Sequence, residues 1–536
     1  MEQFEFLILL LAAIVGLEVL ARRLHLPAAA AFILGGGALA LIPGIGMPDV
    51  DPDLILVIFL PPLLMSGAYM TVWRDFRQNL RGILLLAVGA VIFTTMVVGI
   101  GVKWLLPDLP WAVCFALGAI VSPPDAVAAN AVLERVSLPS RITVLLQGES
   151  LLNDAAGLVL FRFAIVAALT GTFSLSGALT SFCVLSVGGV ALGAVIAYAG
   201  LLAIRWLHGH GEAVVTVTLL MAAISYIGGE KLHVSGVLST VTTGLIVGWR
   251  QHEVFSADTR MRAHAVWGCL VFLLESVLFM FIGLSLRGVL GRLEDQGDAV
   301  HAFLLPSLLV VSLVVVSRFV WLYAADGFYS LMRLIGFRHG PAPSLAASTI
   351  MGWAGMRGVV SLVAALSVPE TMPGRDFILI ATFLVILVTV LVQGTTLEPL
   401  IRLLRLSGAE ELEMKRHSED RAWASMTAAQ YRAIQRASHT PDGKERHPRL
   451  LEQYAHRASV ASIYAKNPDE HRPHEIAHFM AILEAIKAGR HEVLRLHRAG
   501  EITDAVLHDM EQELDLQQLV AEARVTKDGE ELILPA

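Results

Sequence analysis

Charge is scarce in this sequence. Asp, Glu, Lys and Arg make up 16% of its 536 residues and hydrophobic residues 55%, with a mean hydropathy of +0.65. Soluble globular domains carry roughly 25% charged residues, so the deficit excludes an ordinary cytosolic protein and points to lipid. Cysteine is scarcer still: Cys114, Cys183 and Cys269, all inside apolar runs. Three such residues exclude a disulfide framework and a cysteine zinc site, and read as small hydrophobes. Basic excess is absent too. The net charge is −7, which excludes nucleic acid as a partner. No Gly-x-Ser-x-Gly elbow occurs, and His474-Glu475-Ile476-Ala477-His478, which has the His-Glu-x-x-His spacing, lies in the polar tail; no enzymatic chemistry and no cofactor is expected.

The charge that is present is unevenly spread. Residues 405–536 hold 18 Lys and Arg and 23 Asp and Glu, whereas residues 1–404 hold 22 and 24. The division predicts a transmembrane body over 1–404 and a polar, helical cytoplasmic domain over 405–536. The N-terminal Met1–Phe6 is acidic where a secretory signal would be basic, so the first apolar run reads as an uncleaved span.

About 20 apolar residues cross the hydrocarbon core. Thirteen runs approach that length: 4–21, 28–46, 53–71, 82–106, 111–133, 142–169, 178–204, 212–229, 234–249, 263–286, 302–324, 343–367 and 376–401. With the N-terminus outside, thirteen loop Lys and Arg fall inside and five outside, as the positive-inside rule requires. The expected fold is therefore an all-α membrane protein of about thirteen spans, N-terminus out and C-terminus in.

Ionisable groups within hydrocarbon are costly and normally paired or functional. The candidates are Glu18, Asp125, Glu149, Asp154, Arg162, Glu275, Arg318 and Arg357, and three of the carboxylates fall in the fifth and sixth runs. Ser122-Pro123-Pro124-Asp125 sits near the middle of the fifth. Two prolines in succession should break that helix and free carbonyls beside Asp125; the alternative is a simple kink. The sixth reads Gln147-Gly148-Glu149-Ser150-Leu151-Leu152-Asn153-Asp154. Helical spacing puts Ser150 beneath Asp154 and Glu149 beneath Asn153. Hydroxyl, carboxylate and free carbonyls suit a small hard cation; the alternative is a buried salt-bridge network.

Gly352, Gly355 and Gly358 surround Arg357 in the twelfth run and predict a second broken helix. Arg357 needs a carboxylate, for which Glu149 is the expected partner. Glu275 is the candidate for Arg318, Arg162 has none, and Glu18 is expected to face another helix or a second subunit. If runs 1–6 and 8–13 form two six-helix repeats, the fifth and twelfth correspond and the repeats are inverted.

Ser-Pro-Pro-Asp-Ala-Val at 122–127 together with Gly-Glu-Ser-Leu-Leu-Asn-Asp at 148–154 resembles the monovalent cation–proton antiporters, in the Na⁺/H⁺ exchanger branch. Phe59–Leu64, Glu275–Gly283 and Gly355–Gly358 resemble it as well, so the similarity covers about residues 5–404. The resemblance implies that Asp154 binds cation and proton in turn, with Asn153 its partner. It implies Ser150, Asp125 and the Pro123 and Pro124 carbonyls as cation ligands, and Glu149 with Arg357 as a structural ion pair. It also implies a homodimer in the inner cell membrane that serves pH homeostasis. One departure stands out: Ser66 occupies a position usually acidic in that family.

These readings predict electroneutral exchange of one monovalent cation, Na⁺ before Li⁺ or K⁺, for one proton. A K⁺/H⁺ antiporter is the near alternative, and a cation channel or pH sensor gated by the tail the distant one. The tail holds ten of the 18 histidines, with His471, His474 and His478 on one helical face. A solvated charged face is the expected reading there, against a zinc site.

Overall fold

The computed structural model describes residues 2–528 apart from 25, 43–51, 126–137, 172–174, 208–209, 289–298, 337–343, 407–408, 440–445 and 467. Among the described residues the architecture is helical and no β-strand forms. The chain divides into two compact units, Met1–Gly408 and Ala409–Ala536.

The first unit begins with α1 (Glu2–Leu24), α2 (Ala28–Ala40), α3 (Pro52–Met70), α4 (Trp73–Leu84), α5 (Val91–Leu105), α6 (Trp111–Val121) and α7 (Ser140–Thr170). It continues with α8 (Leu175–Trp206), α9 (Gly211–Lys231), α10 (Gly236–Val254), α11 (Ala257–Leu284) and α12 (Ala299–Leu334). Last come α13 (Leu345–Trp353), α14 (Val359–Leu366), α15 (Arg375–Val388) and α16 (Gly394–Leu404). Short π-helical stretches, Leu85–Ala90 and Thr389–Gln393, join α4 to α5 and α15 to α16. Helix occupies at least part of each of the thirteen apolar runs. Among the described residues seven helical stretches are long and apolar enough to cross a membrane, and Ala28–Ala40, Leu54–Met70 and Trp111–Val121 are shorter apolar helices.

Apolar side chains on many of these helices face outward, including Val187, Val195 and Leu202 on α8. Lipid is no more polar than they are, so such side chains cannot drive packing between helices. Close approach of small residues does that work instead. The crossing of α2 and α11 shows it. A methyl at Gly283 would lie 2.6 Å from the Gly37 nitrogen and 2.8 Å from the Gly36 carbonyl carbon, so the two backbones touch. Of the cysteines, only Cys114 is buried; Cys183 and Cys269 are free and exposed on the helix surface, since burial inside an apolar run does not require burial inside protein.

Two Pro-Pro pairs behave differently. α3 runs helically through Pro61 and Pro62. At Pro123 and Pro124, by contrast, α6 stops at Val121 and residues 122–125 leave the helix. Likewise Ala354–Gly358, the glycine-flanked segment, is not helical and separates α13 from α14. Both predicted breaks are present.

The second unit consists of α17 (Ala409–Ser438), α18 (Pro448–Lys466), α19 (Pro468–Arg498) and α20 (Asp504–Asp528). Leu483 of α19 packs with Ala521 and Val525 of α20, and Arg490 bonds Asp515 at 2.7 Å and Gln518 at 2.9 Å. The Arg524 guanidinium lies 4.4 Å from the Trp423 ring centre and ties α20 to α17. His474 and His478 are exposed; the side chain of His471 lies outside the described residues.

Because the α2–α11 contact is backbone on backbone, Gly283→Val should lower stability by about 1–3 kcal/mol. Thermal unfolding of the purified protein in detergent measures it, and an unchanged midpoint would contradict the packing described.

Candidate functional site

The two broken helices meet at their breaks. The Asp125 amide donates to the Met356 carbonyl at 2.7 Å, joining one unwound segment to the other. Breaking α6 frees carbonyls that lipid cannot satisfy, and each orphan would cost several kcal/mol. Arg357, from the opposite break, supplies the donors. Its Nε donates to the Val121 carbonyl at 2.8 Å and its Nη2 to the Ser122 carbonyl at 3.3 Å. Its Nη1 also donates to the carbonyl of Gly355. The Arg357 amide is taken by Thr389 Oγ1 at 3.0 Å, at the start of the π-helical stretch of α15–α16. Ser361 Oγ donates to the Ile120 carbonyl at 2.7 Å, and Asn153 Nδ2 to the Pro124 carbonyl at 2.5 Å. The second Pro-Pro pair breaks its helix, then, where other donors receive the freed carbonyls.

Arg357 therefore does not make the ion pair expected for it. Glu149 is bound instead by Arg318 of α12, through two bonds of 2.5 and 2.9 Å, with side-chain exposures of 1% and 3%. Arg318 thus pairs with Glu149 and not with Glu275, the candidate named for it, and its Nε donates to the Met351 carbonyl at 3.0 Å. The physical reason is donor geometry: the planar fork of Arg318 matches the carboxylate bidentately, whereas Arg357 is spread over single carbonyl oxygens. Arg162, for which no partner was apparent, pairs with Glu230 at 2.7 Å, and Glu18 pairs within its own helix with Arg22 at 2.7 Å.

In front of the crossing lies a cavity of about 450 Å³. Asp125, Ser150, Asp154 and Pro123 line it, so four of the residues expected as cation ligands share one space. Asn153 stays behind that wall, fully buried, its amide holding the Pro124 carbonyl, so its contribution is to fix the break. Gly358 lies against the Asp125 carboxylate so closely that a β-carbon at 358 would collide with it. Leu60, Leu63, Ser66 and Gly67 of α3 and Val271, Glu275, Leu278 and Phe279 of α11 form another wall, and Gln147 of α7 also lines the space. Gly67, Met70 and Gln147 are exposed, which opens the cavity toward the end of the bundle where α3 meets the arginine-bearing α4.

Sequence reasoning missed Arg318 as the partner of Glu149, and Ser361 and Thr389 as supports of the break. Ser361 and Thr389 were visible only as isolated hydroxyls in apolar runs, a weak signal because many such hydroxyls bond their own helix. Among the described residues no group of three or more His, Cys, Asp or Glu side chains is arranged to hold a metal ion.

Residues 8–403 match the family model described as sodium/hydrogen exchanger, transmembrane. An uncharacterised Na⁺/H⁺ exchanger of Mycobacterium tuberculosis is 30% identical over 96% of this chain and 95% of that protein. A sodium, potassium, lithium and rubidium/H⁺ antiporter of Bacillus pumilus is 32% identical over 75% of this chain and 61% of its own length. Among solved structures, a sodium proton antiporter from Methanocaldococcus jannaschii superposes with a TM-score of 0.58 over 76% of this chain and all of that one, at 21% identity. That likeness concerns the fold.

Removing one member of a buried ion pair leaves the other uncompensated, at about 3–5 kcal/mol. Arg318→Met should therefore destabilise strongly, and adding Glu149→Gln should recover much of the loss. The same cycle on Glu149 and Arg357 should show no comparable coupling. Denaturation of the four variants checks this, and stronger coupling to Arg357 would contradict it.

Proposed function

We propose, for a chain that belongs to the sodium/hydrogen exchanger family, that one monovalent cation is exchanged for one proton at Asp154. The chain is a cation/proton antiporter of the membrane; the ion, the stoichiometry and the residue roles are our reading. The observation that carries it is the shared cavity: Asp154, Asp125 and Ser150 beside a helix break, with the nearby Glu149 already paired to Arg318. A carboxylate facing a low-dielectric cleft is stabilised by a proton or by a cation, and either ligand neutralises it. Competition for the same group then enforces exchange, because the cation enters only where the proton has left. No covalent bond is made or broken in the cycle.

Asp154 is the exchanging carboxylate. Ser150, one helical turn before it, supplies a hydroxyl oxygen; Asp125 and the Pro123 carbonyl supply oxygens from the break. Pro124 differs, since its carbonyl accepts from Asn153 and contributes to the scaffold. Position 153 is a neutral Asn, so one charge moves each way and the cycle is electroneutral. Na⁺ is the principal ion. The printed names of relatives, one of them a sodium, potassium, lithium and rubidium/H⁺ antiporter, support an oxygen site that also accepts Li⁺ and K⁺.

The arginine-rich loops favour thirteen spans with the N-terminus outside and the C-terminus in the cytoplasm. In that orientation the cavity opens inward, toward Arg74, Arg77 and Arg81, and residues 405–536 form a cytoplasmic regulatory domain. A homodimer in the inner membrane, working in pH homeostasis, completes the reading.

Proteoliposomes holding an imposed pH gradient test it. Na⁺ should dissipate the gradient with wild-type protein, and Asp154→Asn should abolish this. Clamping the potential with a K⁺ ionophore should leave the rate unchanged. Full exchange by Asp154→Asn would overturn the role of that residue; a transport current would overturn the 1:1 stoichiometry.

A further inference from the structure

Among the described residues three ionisable side chains line the cavity, and all three are acidic: Asp125, Asp154 and Glu275. The first two belong to the break and to α7, as described. Glu275 comes from α11, a helix that packs against α2, α3 and α9. Its position is set by helical spacing: Val271, Glu275 and Leu278 stand at i, i+4 and i+7, so one continuous face of α11 is turned to the cavity. α3 presents Leu60, Leu63, Ser66, Gly67 and Met70 to the same space, and Thr71 follows directly after it, none of them charged. The Phe59 and Phe281 rings, edge to face at 6.4 Å, hold α3 and α11 together. On the wall built by these two helices, Glu275 is thus the one charged lining residue among those described.

A water-filled cleft with low-dielectric sides and acidic lining groups concentrates cations. A carboxylate on the wall facing the exchanging one acts on the cation before and during occupancy, without taking part in proton exchange.

We propose that Glu275 is a cation-recruiting residue of the exchange cavity, setting apparent affinity for the monovalent ion from the α3–α11 wall. The inference rests on the exchange reading above and adds to it a residue on the opposite side of the site. The effect belongs to position and charge within the cavity, so moving the carboxylate across the wall should preserve it.

The test is Na⁺-dependent exchange in proteoliposomes at one fixed pH, reading KM and maximal rate separately for full-length variants. Glu275→Gln should raise the apparent KM for Na⁺ by about five- to tenfold, more than it changes the maximal rate. Glu275→Asp should stay close to wild type. The double variant Ser66→Glu, Glu275→Gln should bring KM back toward the wild-type value, which a merely structural role of Glu275 would not allow. If Glu275→Gln fails to reach the membrane, Ser66→Glu alone serves: added charge on this wall should lower KM. An unchanged KM in Glu275→Gln, a loss confined to the maximal rate, or a double variant no better than the single one overturns the proposal. Those outcomes are separable from failure of the exchange reading, which would instead appear as no Na⁺-driven proton flux in wild type or as full activity in Asp154→Asn.

Discussion

A carbonyl set free inside the membrane must find a donor within the protein, and here the donor is Arg357. Lipid offers no donor at that depth, so the breaks beside the cavity persist because their loose ends are bonded to each other. Arg357 reaches from one break to the Val121 and Ser122 carbonyls of the other, while the Asp125 amide returns a bond to Met356. Asn153 and Ser361 secure the neighbouring carbonyls of Pro124 and Ile120. The crossing is therefore a polar knot of backbone and side chains within apolar helices.

Charges are divided around that knot in a way that bears on exchange. The buried arginines are committed to the scaffold: Arg318 to Glu149, Arg357 to carbonyl oxygens. The carboxylates of Asp125, Asp154 and Glu275 line the cavity instead. Among the described lining residues there is no positive side chain to compete with a cation. This arrangement also explains why a buried pair so close to the site is structural: Glu149 on α7 has its charge matched bidentately by Arg318, which leaves it little reason to bind an ion.

Much of this was legible in the sequence, for physical reasons that can be named. Pro123-Pro124 removes two donors in mid-membrane and Gly352, Gly355 and Gly358 weaken a second run, so both breaks could be anticipated. Ser150 and Asp154 share a face because helical spacing allows nothing else. What could not be read was which distant helix faces which. Glu149 has two buried arginines within its neighbourhood, Arg318 and Arg357, and spacing along the chain cannot choose between partners 169 and 208 residues away. The choice depends on the azimuth of α12 around the bundle, a tertiary property. The placing of Glu275 in the cavity is of the same kind: its face of α11 was calculable, the direction of that face was not.

The neutralisation of Asp154 by one ligand at a time is the claim on which the mechanism depends. Its most direct test needs no membrane. Purified protein in detergent and weak buffer is saturated with Na⁺, and released protons are counted against bound cation measured by calorimetry. The account predicts release that tracks Na⁺ binding, up to one proton per cation where the site begins protonated, and none from Asp154→Asn. Saturable Na⁺ binding without proton release at any pH where exchange proceeds would contradict it.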